Sequence, residues 1–286
     1  RRADAAADED AGLAAWYEAA ADAHASHVRV LLQADPLGGT RADPSPIAEP
    51  STPAPSPEPS GALAQAYRDA EASHREAASG EQDSSMRMLW CSLAVFAGRA
   101  AVALGGPDPS PAPVAGRAVP VRVEPGTALD SAEALVSRLD ALRYGLETMI
   151  GRSGGTRADM SARRDEVEAL RVEASERIAA AGGRASGPEL EYELGGDPDD
   201  EGARDGIWAG LENAVLAGWL RLAAATPGTN ESAGMPGTSA SAGPSGAGSP
   251  GAGLPYGLDE IIDLAVAQAG QAPARGLGTC WWPGWV

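Results

Sequence analysis

The feature that most constrains this chain is the stretch from Thr127 to Thr226, where apolar side chains recur at helical spacing in three successive runs. Leu135, Leu139, Leu142, Leu146 and Met149 alternate steps of four and three, which places them on one stripe of a helix. Thr127 and Asp130 form a start signal: the hydroxyl accepts an orphan backbone N–H, and the carboxylate suits the positive helix end. Gly151 and the Gly154-Gly155 pair are the stop. Thr156 and Asp159 open a second helix with Met160, Val167, Leu170, Ala174 and Ile178 on one face. Arg164/Glu168 and Glu173/Arg177 are spaced for ion pairs on the other, and Gly182-Gly183 close it. A third helix is expected from about Asp200 to Ala225. Asp199, Asp200 and Glu201 sit at its first turn, and Ile207, Trp208, Leu211, Val215, Trp219 and Leu222 form its stripe. Three amphipathic helices bury their faces only against one another or against a further partner.

The flanking chain supplies more helices. Ala5 to Ala34 reads as one, with Leu13, Trp16, Tyr17, Ala20, His24, His27, Leu31 and Leu32 along a broad stripe, stopped by Asp35-Pro36. Residues 43–60 carry proline at short intervals and read as a linker. Ser60 caps a second helix bearing Leu63, Ala66, Tyr67, Ala70 and His74, broken at Gly80. A third runs from Ser84 to Leu104, with Met88, Leu89, Leu93, Phe96, Ala100 and Leu104 inward. Residues 105–126 form a further linker, within which Val119, Val121 and Val123 suggest a short extended piece. Leu190, Tyr192 and Leu194 alternate with glutamates, an extended connection expected to lie on the bundle. Residues 227–255 are a Gly/Ser/Pro/Ala tract without periodicity, read as a disordered insert. Leu258, Ile261, Ile262, Ala265 and Ala269 make a short last helix, the candidate fourth member of the bundle, before an aromatic tail at 274–286. The division expected is a helical region over 1–104 and a bundle over 127–273.

Composition narrows the function classes. The formal charge of −18 argues against a nucleic-acid surface or an anionic membrane, because phosphate recognition needs a net basic patch. Met88 to Leu104 approaches membrane length but is interrupted by Gly98-Arg99, so a buried core helix is expected there. The chain opens Arg1-Arg2 without an apolar leader, which reads as a trimmed or mature form. Cys91 lies in an apolar helix and reads as a small buried hydrophobe. A bridge to Cys280 is an open alternative.

Candidate chemistry is sparse. Glu71 and His74 are the only Glu-x-x-His pair, and His24 and His27 share one helix face. Together Glu71, His74, His24 and His27 are the candidate metal ligands, since three imidazoles meeting across a helix contact suit zinc or copper. The bland reading is polar residues along a helix boundary. The acidic run Glu189, Glu191, Glu193, Asp197, Asp199, Asp200, Glu201 and Asp205 lacks a calcium-loop pattern and reads as a solvated connection. No Gly-x-Ser-x-Gly elbow sits between a strand and a helix, and the glycine-rich pieces end helices instead of following strands. No catalytic or cofactor-binding residue is therefore assigned, and no cofactor is expected. Trp281, Trp282 and Trp285 either fold back to cap the bundle or offer a contact to a partner.

The Ala162-Arg163-Arg164-Asp165 run, Arg143-Tyr144-Gly145, the Leu190 to Leu194 connection, and the closing short helix with its aromatic tail together resemble a ferritin-like helical domain of unknown function found in exported or lipid-anchored bacterial proteins. The resemblance covers roughly Thr127 to Pro273, with residues 227–255 as an extra. It implies an all-α, antiparallel four-helix bundle and an extracytoplasmic location, and favours the folded-back tail. It implies no activity. Where that family commonly has a Glu-His pair in its first bundle helix this chain has Leu139-Asp140, and Met160 replaces a histidine before the Arg-Arg-Asp run. The centre of the bundle is thus expected to be apolar. The expected function is binding or scaffolding at the cell envelope, with an unidentified protein or small-molecule partner. The alternative is a metal-binding or di-iron-like oxidoreductase, which lacks the second Glu-x-x-His pair that such a site requires.

Overall fold

A computed structural model describes residues 14–38, 60–105, 112–115, 119–124, 126–152, 158–227, 254–271 and 279–285. The expectations for Ala5 to Leu13, for most of the proline-rich linker, for the Gly154-to-Thr156 junction and for most of the 227–255 tract lie outside these residues. Among the described residues the regular structure is all helical: α1 (Ala14–Leu31), α2 (Ser60–Gly80), α3 (Ser84–Gly105), α4 (Ala128–Arg152), α5 (Ala158–Ala180), α6 (Arg204–Ala225) and α7 (Leu258–Ala269). Val121 forms an isolated antiparallel bridge with Gly38, and Val114 a parallel one with Cys280.

The helix ends follow their local chemistry. Thr127 Oγ1 accepts the Asp130 N–H at 3.0 Å, and Asp130 Oδ2 accepts the Thr127 N–H at 3.3 Å, a reciprocal capping box that starts α4. α5 ends in a Schellman turn: Gly183 N–H donates to Ile178 O (2.9 Å) and Gly182 N–H to Ala179 O (3.0 Å), with Gly182 at φ 86°. α6 begins later than the sequence suggests. Asp197 accepts the Asp199 N–H and Asp200 the Gly202 N–H, so these carboxylates stabilise turns ahead of the helix, and Asp205 is the acid of its first turn.

α4 to α7 enclose a common core. Leu129 early in α4 lies against Gly183 just past α5, so these two helices are antiparallel. Arg204 at the start of α6 donates to Arg152 O at the end of α4, while Leu135 and Arg138 lie against Gly218 late in α6, so α6 is also antiparallel to α4. Tyr256, just before α7, meets Trp219 edge-on at 5.4 Å, and Gln268 late in α7 reaches Glu212, which reverses the direction again. The order is up, down, down, up. Residues 181–203 run the length of the bundle to join the two parallel helices α5 and α6. Midway, Leu194 rests near Gly145, where α4 and α6 come close enough that a Cβ would meet Leu211 Cδ1 at 2.3 Å. Leu190, expected on the bundle, is fully exposed, because only Tyr192 and Leu194 face inward on this connection.

The α4 stripe Leu135, Leu139, Leu142, Leu146 and Met149 is wholly buried, as the spacing predicts. Each such leucine contributes about 1.5–3 kcal/mol of transfer free energy. α6 is apolar nearly all round, because α4, α7 and α3 each cover part of it. α3 is the only described helix long and apolar enough to cross a membrane, and most of it is buried against α2, α6 and α7. Trp16, Tyr17, Tyr67 and Phe96 form a satellite cluster where α1 meets α2 and α3. At the end of α1 the buried residue is Val30, whereas Leu32 points to solvent beyond the last helical turn.

The aromatic tail folds back. Trp281 N–H donates to Val114 O, Ser92 Oγ donates to Pro283 O at 2.7 Å, and Trp285 Nε1 donates to Val121 O. Trp282 and Trp285 are buried in the main core. Gly284 permits this closure: at φ 90° it brings backbone to where a Cβ would meet Leu220 Cδ1 at 2.5 Å.

Candidate functional site

The helix stripes carry charges into the interior. Arg163 falls between Met160 and Val167 on the inner face of α5, Glu212 lies on α6 one turn after Trp208, and Gln268 closes α7; all three are buried. Arg163 Nε and Nη2 donate to the two oxygens of Glu212, each at 2.9 Å, a bidentate fork. Trp208 Nε1 donates to Glu212 Oε1 at 2.8 Å, and Gln268 Nε2 to Oε2 at 2.7 Å. Glu212 therefore accepts four hydrogen bonds, the capacity of a carboxylate. Arg163 also donates to Gln268 Oε1 and to Glu166, and Gln268 Nε2 also donates to Glu212 O. Burial pulls the Arg163 pKa down, but the hydrogen bonds and charge of Glu212, then of Glu166, hold it above the ordinary arginine value. The bundle interior is thus not apolar throughout, which corrects the expectation drawn from Leu139 and Met160. Those residues are buried as expected, and the polar network occupies the α5–α6–α7 side beside them.

A second buried charge is less complete. Asp140 is 1% exposed on α4, and neither carboxylate oxygen has a hydrogen-bond partner. Arg171 Nε and Arg143 Nη2 approach Oδ1 at 3.7 and 3.9 Å, close enough to balance charge but too long for hydrogen bonds. Burial raises the Asp140 pKa, against the pull of the two guanidinium groups. Glu168, expected to pair with Arg164, binds Arg171 at 2.8 Å instead, while Arg164 turns to Asp165 at 2.7 Å. The expected pair Glu173/Arg177 is present at 2.6 Å, and Arg177 also reaches Glu260 on α7.

The histidines are drawn toward one another at the α1–α2–α3 junction, but not into a ligand set. His24 and His27 have ring centroids 5.7 Å apart. His24 Nε2 is 2.8 Å from Tyr67 Oη, and His27 Nε2 donates to Trp281 O at 2.7 Å. Phe96 and Trp282 meet the His27 ring edge-on. His74 stacks on Trp90 at 5.9 Å, and Glu71 forms a 2.7 Å ion pair with Arg75. Burial, assisted by the charge of His74, lowers His24 to about 4. Burial lowers His27 to about 3, opposed by its bond to Trp281 O and assisted by His24 and His74. Among the described residues, no group of three His, Cys, Asp or Glu side chains is placed to hold a metal ion. The acidic run from Glu189 to Asp205 is exposed and spread along the connection and into the first turn of α6.

Cys91 and Cys280 are both free thiols, and burial pushes Cys91 up to about 12, which suppresses thiolate chemistry. Sequence reasoning passed over Arg163, Glu212 and Gln268 as site residues. The available signal was their position: each falls on an apolar stripe, where a charged or amide side chain needs buried partners.

Comparison with family models, with curated proteins and with solved structures finds no match to this chain.

Proposed function

We propose that this chain is a ferritin-like helical protein that acts by binding or scaffolding at the cell envelope, without catalysis of its own. The up-down-down-up order of α4 to α7, with one long crossover between α5 and α6, supports the ferritin-like reading, because that topology joins its two helix pairs by a single long connection. The extracytoplasmic location rests on the sequence resemblance alone.

The observation that carries the non-catalytic reading is the saturation of Glu212. A carboxylate at the heart of a helical bundle is a natural metal ligand or general base when its lone pairs face a cavity. Here they face Arg163, Trp208 and Gln268, and the guanidinium supplies the positive charge that a metal ion would otherwise bring. Such a group has no free lone pair with which to bind a substrate or accept its proton.

The test is metal analysis of protein purified without chelator, together with the Glu71→Ala/His74→Ala double variant. Substoichiometric iron, manganese and zinc in both proteins agree with the proposal. A stoichiometric metal that disappears in the double variant establishes the metal-binding alternative instead.

A further inference from the structure

A cavity of about 160 Å³ opens between the start of α3, the first turns of α4 and the end of α6. Its wall includes Arg138 and Arg221, with Ser84 and Ser131 beside them and Glu124 and Asp130 at the exposed rim. The two arginines differ from most others in this acidic protein. Arg163, Arg171 and Arg177 each hold carboxylates, and Arg87 and Arg204 hold backbone carbonyls. Neither Arg138 nor Arg221 has a carboxylate within ion-pair distance or a hydrogen bond among the described residues. Asp130 is occupied at the α4 cap.

Arg138 is also fixed in place. Its side chain lies along α6 where Gly218 leaves room: a Cβ there would approach Arg138 Nη1 at 3.1 Å and Cδ at 3.2 Å. Nη1 is buried and makes no hydrogen bond. Burial lowers the Arg138 pKa, and the neighbouring charge of Arg221 lowers it further. Arg221 by itself is explained by its position near the negative end of α6. That account does not extend to Arg138, which belongs to α4 and keeps an unmet buried donor beside a like charge. Two neighbouring cations with no carboxylate between them are an unfavourable arrangement unless an anion joins them.

We infer that this cavity is a binding site for a small oxyanion, a phosphate or a carboxylate group, held between the guanidinium groups of Arg138 and Arg221 with Ser84 and Ser131 as neutral hydroxyl donors. Planar N–H forks and hydroxyls match oxyanion geometry, and the anion offsets the repulsion between the two cations. The overall negative charge of the chain repels anions at long range, so selectivity comes from these local donors. The site is separate from the Arg163–Glu212 network, and its presence does not depend on the function proposed above.

The experiment is calorimetric titration and thermal unfolding of the full chain with sodium phosphate and, separately, sodium acetate, each against sodium chloride at matched ionic strength. Saturable binding and a rise in the unfolding midpoint with either oxyanion are expected. Phosphate alone points to a phosphate group, and both together to any oxyanion. Arg138→Met and Arg221→Gln should each weaken that binding tenfold or more, while Arg164→Gln, on an exposed arginine paired with Asp165, leaves it unchanged. Arg221 is exposed, so its variant keeps the test decisive if Arg138→Met folds poorly. No saturable response beyond chloride, or an unchanged response in Arg221→Gln, overturns the inference.

Discussion

Two polar regions of this molecule differ in whether they are closed. Between α5, α6 and α7, Arg163, Glu212, Gln268 and Trp208 consume one another's hydrogen-bonding capacity. Between α3, α4 and α6, Arg138 and Arg221 line one cavity without a carboxylate partner, and Arg138 keeps a buried donor with no hydrogen bond. A closed buried network holds helices in register and offers nothing to a ligand. An open one is a structural liability unless something completes it. The same residue type serves both purposes, and what separates the roles is the count of satisfied atoms.

Breaking the closed network should have the largest effect. Glu212→Ala strands the Arg163 charge and the Trp208 and Gln268 donors, at a cost of about 3–5 kcal/mol in urea unfolding followed by circular dichroism. The open region should respond in the other direction. Arg138→Met removes an unmet donor and a like-charge contact, so its unfolding free energy should stay within about 1 kcal/mol of the parent, or exceed it. Equal and large losses in the two variants would erase the distinction between the regions.

The histidine junction sharpens the contrast through pH. His27 is held neutral with its Nε2 proton on Trp281 O, and folding lowers its pKa from 6.5 to about 3. The unfolded chain therefore binds a proton near pH 6.5 that the folded chain takes up only near pH 3. Stability from this group is complete above pH 6.5 and falls as pH drops toward 3. Each tenfold change in proton affinity is worth about 1.4 kcal/mol, and His24, lowered to about 4, acts in the same direction. Thermal midpoints across this window should fall less steeply in His27→Gln than in the parent. An unchanged slope would remove His27 from the account.

At close approaches of the backbone the expected effect is smaller. Gly145→Ala puts a methyl group where Leu211 Cδ1 now lies, and overpacking of this kind costs about 1–3 kcal/mol. Smallest of all, Glu173→Gln should change stability by less than about 1 kcal/mol. Its pair with Arg177 is half exposed, and Arg177 keeps Glu260.

Much of the helical layout was legible in the sequence because it is written in local chemistry. The Thr127/Asp130 box, the Gly182-Gly183 turn and the apolar stripes of α4 and α6 each specify their own conformation within a few residues. The start of α6 was misplaced because Asp199 and Asp200 look like helix-start acids, whereas the carboxylates of Asp197 and Asp200 close turns before the helix. The polar interior was hidden by a different habit of reading. Arg163 entered only as part of the Ala162-Arg163-Arg164-Asp165 run, although its place between Met160 and Val167 leaves it on the inner stripe. Its partners come from α6 and α7, at sequence distances of 49 and 105. Local periodicity cannot supply such pairings. The cavity at Arg138 was invisible for the same reason, since three separate helices contribute its walls.

The most direct test of the central claim is a double-mutant cycle at Arg163 and Glu212, read by chemical unfolding. If the network is a closed structural unit, Arg163→Met and Glu212→Leu each destabilise strongly, while the double variant recovers most of the loss, giving a coupling of about 3 kcal/mol or more. Additive losses, with no recovery in the double variant, would contradict the claim that these two residues are spent on each other.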